Sequence, residues 1–237
     1  LILMTCFLGC NSGTENFRER DQMRNINSQL VTSEMLSALD EFNYYFGHQS
    51  VGQNILNGVE RILENAKGRF IVTRVDLSIK SDRKGVLYES LIGRNGDPVS
   101  KIIAFQDSIG EIQNSIDFAF MKFCYIDIDA NTNVVDLFNQ YKTAILDLES
   151  RYPNISFLHM TVPLKSYPLD LKGKVGFLLK RLMGKTPTVI LDNQRREAFN
   201  NLVRNEYLKT GKMFDLAFFQ SNGMPEPLSL AARFTYD

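Results

Sequence analysis

The sequence predicts an α/β protein: a parallel sheet of about five strands with helices on both faces. Three observations carry that expectation. Short runs rich in β-branched and aromatic residues alternate with longer apolar-periodic segments along the chain after residue 29. The longest apolar run, residues 116–128, is apolar on both faces, as a central strand covered on each side must be. The segments between runs are long enough for crossover helices, which parallel neighbours require.

In chain order, residues 33–40 form a short helix capped by Thr32 or Ser33. Residues 42–46 are the first strand, and 51–66 an amphipathic helix ended by Gly68. Residues 70–75 are β-branched and bounded by charge, which suits a second strand. A loop follows, containing the turn-rich cluster Gly93-Arg94-Asn95-Gly96-Asp97-Pro98. Pro98 opens a helix over 99–112, with Asp97 placed as its cap. Residues 116–128 are the third strand, and 134–151 an amphipathic helix closed by Pro153. Residues 155–162 are the fourth strand. Residues 165–185 form a basic insertion with one short helix, 193–209 a further helix ended by Gly211, and 213–219 a fifth strand. The tail from Ser221 carries Pro225 and Pro227 and reads as loop.

Composition narrows the function classes. The 237 residues are 44% hydrophobic and 23% charged, enough to bury a core in one domain over 29–237. Lys+Arg and Asp+Glu are both 27, so a nucleic-acid partner, which calls for a basic excess, is not expected. With only His48 and His159, a multi-histidine metal site is not expected, and no cofactor motif is present. Cys6 and Cys10 lie in the N-terminal segment and Cys124 inside an apolar strand, so no disulfide framework or metal box is expected, and Cys124 reads as a buried small hydrophobe.

Residues 1–10 are apolar and uncharged, and they end Leu8-Gly9-Cys10. A bilayer span takes ~20 residues, so this stretch reads as the end of a signal-peptide core instead. Its last four residues resemble a bacterial lipobox. That likeness implies that Cys10 is lipidated, that 11–28 is a polar tether, and that the protein is an exported cell-envelope lipoprotein held to a membrane. No initiating methionine or basic lead precedes it, so the chain is expected to begin partway through its signal.

The chain is organised around Tyr44-Tyr45-Phe46-Gly47-His48-Gln49-Ser50-Val51-Gly52. An aromatic strand stops at Gly47, and the helical pattern begins at Val51. A serine in such a turn has two readings: a helix cap, or a nucleophile beside the helix's free N–H groups, which can stabilise an oxyanion. In parallel sheets ligands bind at the carboxyl ends of strands. Ser50, Asn95, Gly96 and Asp127 all fall there, and that convergence favours a Ser50-centred site. His48 could line the pocket, act as base, or be structural. His159, inside an apolar strand, reads as a core residue. Lys122, also in an apolar strand, must be paired or functional.

Three stretches together resemble the SGNH/GDSL hydrolases: Gly47-His48-Gln49-Ser50-Val51-Gly52, Asn95-Gly96-Asp97, and Met121-Lys122-Phe123-Cys124-Tyr125-Ile126-Asp127. The nearest likeness is a bacterial branch with a His-x-Ser-x-Gly turn, and the segment Asp192 to Asn200 also looks like that branch. The resemblance implies a flavodoxin-like three-layer α/β/α sandwich and a serine esterase or acyl hydrolase without cofactor. It makes Ser50 the nucleophile, with its own N–H and that of Gly96 as oxyanion donors and Asn95 as a neighbouring candidate. Asp127 falls on the aspartate of the family's Gly-x-Asn-Asp motif, but Ile126 then stands where its asparagine belongs. Lys122, Tyr125 or Asn193 are the possible substitutes. The family's late Asp-x-x-His would follow Phe234-Thr235-Tyr236-Asp237, so a chain truncated at both ends is expected. The substrate class it implies is a small-molecule or carbohydrate ester. A non-catalytic binding domain on the same fold is the rival reading. A flavin or nucleotide binder fits less well, because His48-Gln49 is not a phosphate-cradling turn.

Overall fold

A computed structural model describes residues 33–64, 70–74, 83–165 and 171–220. Cys10, the 11–28 tether, Gly68, Asp237 and the proline-bearing tail lie outside the described residues. The elements are α1 (Ser33–Leu39), β1 (Tyr44–His48), α2 (Val51–Glu64), β2 (Ile71–Arg74), β3 (Val86–Leu91), α3 (Pro98–Ile112) and β4 (Phe118–Met121). They continue with α4 (Val134–Arg151), β5 (Ser156–Met160), α5 (Leu171–Leu182), α6 (Thr188–Tyr207), β6 (Met213–Phe214) and α7 (Leu216–Gln220).

All six strands are parallel, in the order β2-β3-β1-β4-β5-β6. Without the edge strand β2, this is the flavodoxin-like order. Tyr45 stands in register with Tyr88 on one side and Ala119 on the other, so β1 is the centre of the sheet. Because successive side chains alternate faces, β1 feeds two cores. Tyr45 packs with Tyr88, Phe105, Ile109, Phe138, Phe157 and Phe199 beneath α3, α4 and α6. Tyr44 and Phe46 pack with Leu56, Val59, Leu87, Phe120 and Leu216 beneath α1, α2 and α7. The result is a three-layer α/β/α sandwich.

Local chemistry fixes the helix starts. Pro98 occupies the first turn of α3, where its missing N–H costs nothing, and Asp97 Oδ1 accepts from Ser100 N at 3.1 Å. Asn133 caps α4 by accepting from Asp136 N at 3.3 Å.

Several expected boundaries are corrected. The segment after β2 is not simply a loop, because it contains β3, and Asn95 and Gly96 therefore follow the third strand. The first strand runs over 44–48, not 42–46. Only Phe118–Met121 of the run 116–128 is strand, and Tyr125–Asp127 turns as a 3-10 helix. The fifth expected strand, 213–219, is two residues of β6 followed by α7.

Candidate active site

The chain leaves β1 toward one edge of the sheet, through α2 to β2 and β3, and α3 then carries it across to β4 on the other side. The carboxyl end of β1 is therefore the point where strand order reverses, the usual ligand position in open α/β sheets. Ser50 sits there and is exposed. Its backbone is left-handed, with φ 43°, and among the described residues no other non-glycine has a positive φ. For a serine that conformation is strained, and such strain collects at functional sites. An ordinary N-cap is extended and accepts through its side chain. Here Gln53 N donates instead to the Ser50 carbonyl at 2.8 Å, and no hydrogen bond is made by the Ser50 hydroxyl among the described residues.

Gln49 ties this turn to both neighbouring loops. Its Nε2 donates to the carbonyls of Ile92 (3.3 Å) and Gly93 (3.0 Å), and its own carbonyl accepts from Cys124 Sγ at 3.4 Å. Gly93 has φ 54°, and a Cβ there would lie 2.5 Å from the Lys101 nitrogen, so only glycine lets the loop press so closely on α3.

Asn95, Gly96 and Asp127 come together. Asp127 is buried; one carboxylate oxygen accepts from Gly96 N at 2.8 Å, the other from Cys124 N at 2.6 Å and Lys101 Nζ at 2.5 Å. Lys101 also donates to Asn95 Oδ1 at 2.9 Å. Two consequences follow for oxyanion binding. The Gly96 N–H expected to serve is already committed to Asp127. Asn95 is exposed, with its carbonyl held by Lys101 and its amide NH2 left without a partner among the described residues. Ile126, at the position where the resemblance calls for an asparagine, is 54% exposed.

His48 does not line the surface. It is fully buried, with Nε2 3.0 Å from Glu89 Oε2, while Glu89 Oε1 accepts from Arg74 Nε at 3.0 Å. Among the described residues its Nδ1 has no hydrogen-bond partner. Burial lowers the His48 pKa, and the Glu89 carboxylate only partly offsets that. His159 is the core residue expected: it pairs with the Tyr141 hydroxyl at 2.9 Å and stacks on Tyr207 with ring centroids 3.5 Å apart. Neither histidine is hydrogen-bonded to Ser50.

Lys122 is fully enclosed at the end of β4, and burial lowers its pKa. Among the described residues its Nζ bonds no carboxylate; it lies 3.3 Å from Cys124 Sγ and 3.5 Å from the Phe123 carbonyl. Asn193 acts as a clamp on Lys165 and makes no hydrogen bond to Ser50. Its Nδ2 donates to the Lys165 carbonyl (2.8 Å), and its Oδ1 accepts from Lys165 N (3.0 Å) and Arg196 Nη1 (2.6 Å). Arg196 in turn donates to the Tyr125 carbonyl at 2.6 Å, fixing the turn that carries Asp127. The sequence does not single out Lys101 or Glu89, and it presents Gln49 and Arg196 only within longer stretches, since each acquires its role through a partner distant along the chain. Among the described residues, no group of three or more His, Cys, Asp or Glu side chains could hold a metal.

No family model matches the chain, and no curated protein matches it either. Among solved structures it is similar to one provisionally described as a platelet activating factor from Streptococcus pneumonia, at 9% identity and a TM-score of 0.39. That similarity covers 90% of this chain and 87% of the other.

Proposed function

We propose that this protein is a serine acyl hydrolase of SGNH type, with Ser50 as nucleophile toward an ester carbonyl. The observation that carries the reading is the strained, exposed Ser50 at the sheet's switch point, with a hydroxyl that caps nothing. In this reading Ser50 Oγ bonds to the carbonyl carbon, and the resulting oxyanion is met by the Ser50 N–H and the Asn95 amide NH2. Collapse expels the alcohol, and water then releases the acyl group from Ser50. Asp127 and Lys101 act by holding Asn95 and the loop in place. The proton of Ser50 passes to a general base, and among the described residues neither histidine is bonded to Ser50 to serve as one. The substrate is a small-molecule or O-acylated carbohydrate ester, reached from the cell envelope with Cys10 as the lipid anchor.

A second reading is favoured by one observation: neither His48 nor His159 is bonded to Ser50. A domain that keeps the fold without a base at Ser50 would bind an ester or glycan without turning it over.

Labelling of the full-length protein by a fluorophosphonate probe separates the two. Hydrolase chemistry predicts labelling that Ser50→Ala abolishes. A folded protein that takes up no probe supports the binding domain.

A further inference from the structure

Helix α5 inverts the usual arrangement of an amphipathic helix. In the sequence Leu-Lys-Gly-Lys-Val-Gly-Phe-Leu-Leu-Lys-Arg-Leu, apolar residues recur at helical spacing. Such a stripe normally faces the core. Here Val175, Leu178, Leu179, Leu182 and Met183 are all half-exposed or more, Leu182 at 75%. Val175, Leu178, Leu179 and Leu182 fall within one side of a helix by spacing. Among the described residues nothing lies within 4 Å of where a Gly176 Cβ would stand. Two glycines in twelve residues also weaken the helix on its own.

Charge identifies what covers this face. The chain as a whole is neutral, yet residues 171–185 contain five basic residues (Lys172, Lys174, Lys180, Arg181, Lys185) and no acidic one. A second copy of the same helix would bring like charges together. An anionic lipid surface complements both features at once: headgroups for the basic residues and the acyl boundary for the apolar face. Twelve residues span ~18 Å, too short to cross a hydrocarbon core of ~30 Å, so the helix would lie in the plane of the interface.

We infer that α5 is a membrane-surface helix that docks the protein on anionic lipid through Val175, Leu178, Leu179, Leu182 and Met183. It lies in the connection that leaves the carboxyl end of β5, the same edge of the sheet that carries Ser50. This docking does not depend on Ser50 being a nucleophile.

Vesicle sedimentation of the full chain tests it, with phosphatidylcholine alone or mixed with phosphatidylglycerol. The expected result is binding to the mixed vesicles that high salt weakens. Leu178→Glu/Leu182→Glu should reduce it at least tenfold. Lys180→Glu/Lys185→Glu should weaken it by about fivefold or more per residue. All four side chains are exposed, so unfolding midpoints should match the parent protein. Absence of binding to the mixed vesicles overturns the proposal. So does binding unchanged in both double variants, which would assign it to residues 1–10. A dimer dispersed by Leu178→Glu/Leu182→Glu, without vesicle binding, would instead make α5 a self-association surface and also overturn it.

Discussion

The ring of His48 fills the space that a side chain on Gly52 would need. A Cβ at Gly52 would lie 2.3 Å from both Cβ and Cγ of His48, closer than real carbon atoms approach. The last residue of β1 and the first turn of α2 thus interlock directly beneath Ser50. Gly52→Ala should cost about 1–3 kcal/mol through overpacking, read from urea unfolding. The double variant with His48→Gly, which removes both the Cβ and the ring, should cost less than the two single costs combined. Additive costs would mean that the two positions do not share that space.

Ser50 gives the sharpest contrast between cap and nucleophile. Glycine adopts φ 43° without penalty, so Ser50→Gly should raise stability by roughly 0.5–1 kcal/mol while abolishing probe labelling. A serine that served as an N-cap would give no gain, since its loss to glycine costs a few tenths of a kcal/mol. Chemical denaturation of the two proteins decides it.

Lys101 and Asp127 form an ion pair whose side chains are both wholly buried. Removing one partner strands the other charge, so Lys101→Met should destabilise by about 3–5 kcal/mol. The exposed pair of Arg151 with Asp147 is the control: Asp147→Asn should cost about 0.5 kcal/mol or less. A mild effect of Lys101→Met would show that the Gly96 and Cys124 N–H groups satisfy Asp127 by themselves.

Burial lowers the pKa of His159 from 6.5 to about 4, with nearby Lys212 adding to the effect. Between those values the unfolded chain binds a proton that the folded protein refuses. Stability is therefore full above about pH 6.5 and falls as the pH drops toward 4, by on the order of 3 kcal/mol for this group. His48, also lowered, acts in the same direction. Urea midpoints across this range should fall with acidity, and His159→Gln should flatten that fall. A profile unchanged in the variant would remove His159 as its cause.

The alternation of strand and helix was legible because each element announces itself locally. Pro98 with Asp97 marked the start of α3, and the apolar spacing of 134–151 gave α4 to the residue. The strand β3 was missed for the opposite reason. Its second half, Glu89 and Ser90, looks polar, and it is accommodated only because His48, Arg74 and Tyr45 meet it across the sheet. The run 116–128 looked like one long strand because its turn is not made by glycine or proline. It is made by the Asp127 carboxylate accepting from Cys124 N, with a lysine from another helix neutralising it. Position along the chain pointed to Ser50, Asn95, Gly96 and Asp127. It could not reveal that Gly96 donates to Asp127, which shifts the free donor to Asn95.

The place of β1 in the sheet bears on how the protein is made. β1 is the earliest described strand to be synthesised, yet it is the middle one, hydrogen-bonded to β3 on one side and β4 on the other. Neither neighbour exists when β1 leaves the ribosome. At ~5–20 residues per second, Tyr44-Tyr45-Phe46 waits several seconds with both edges open before Phe118–Met121 is available to pair with it. For that interval this aromatic stretch is an unpaired strand open to wrong partners at both edges.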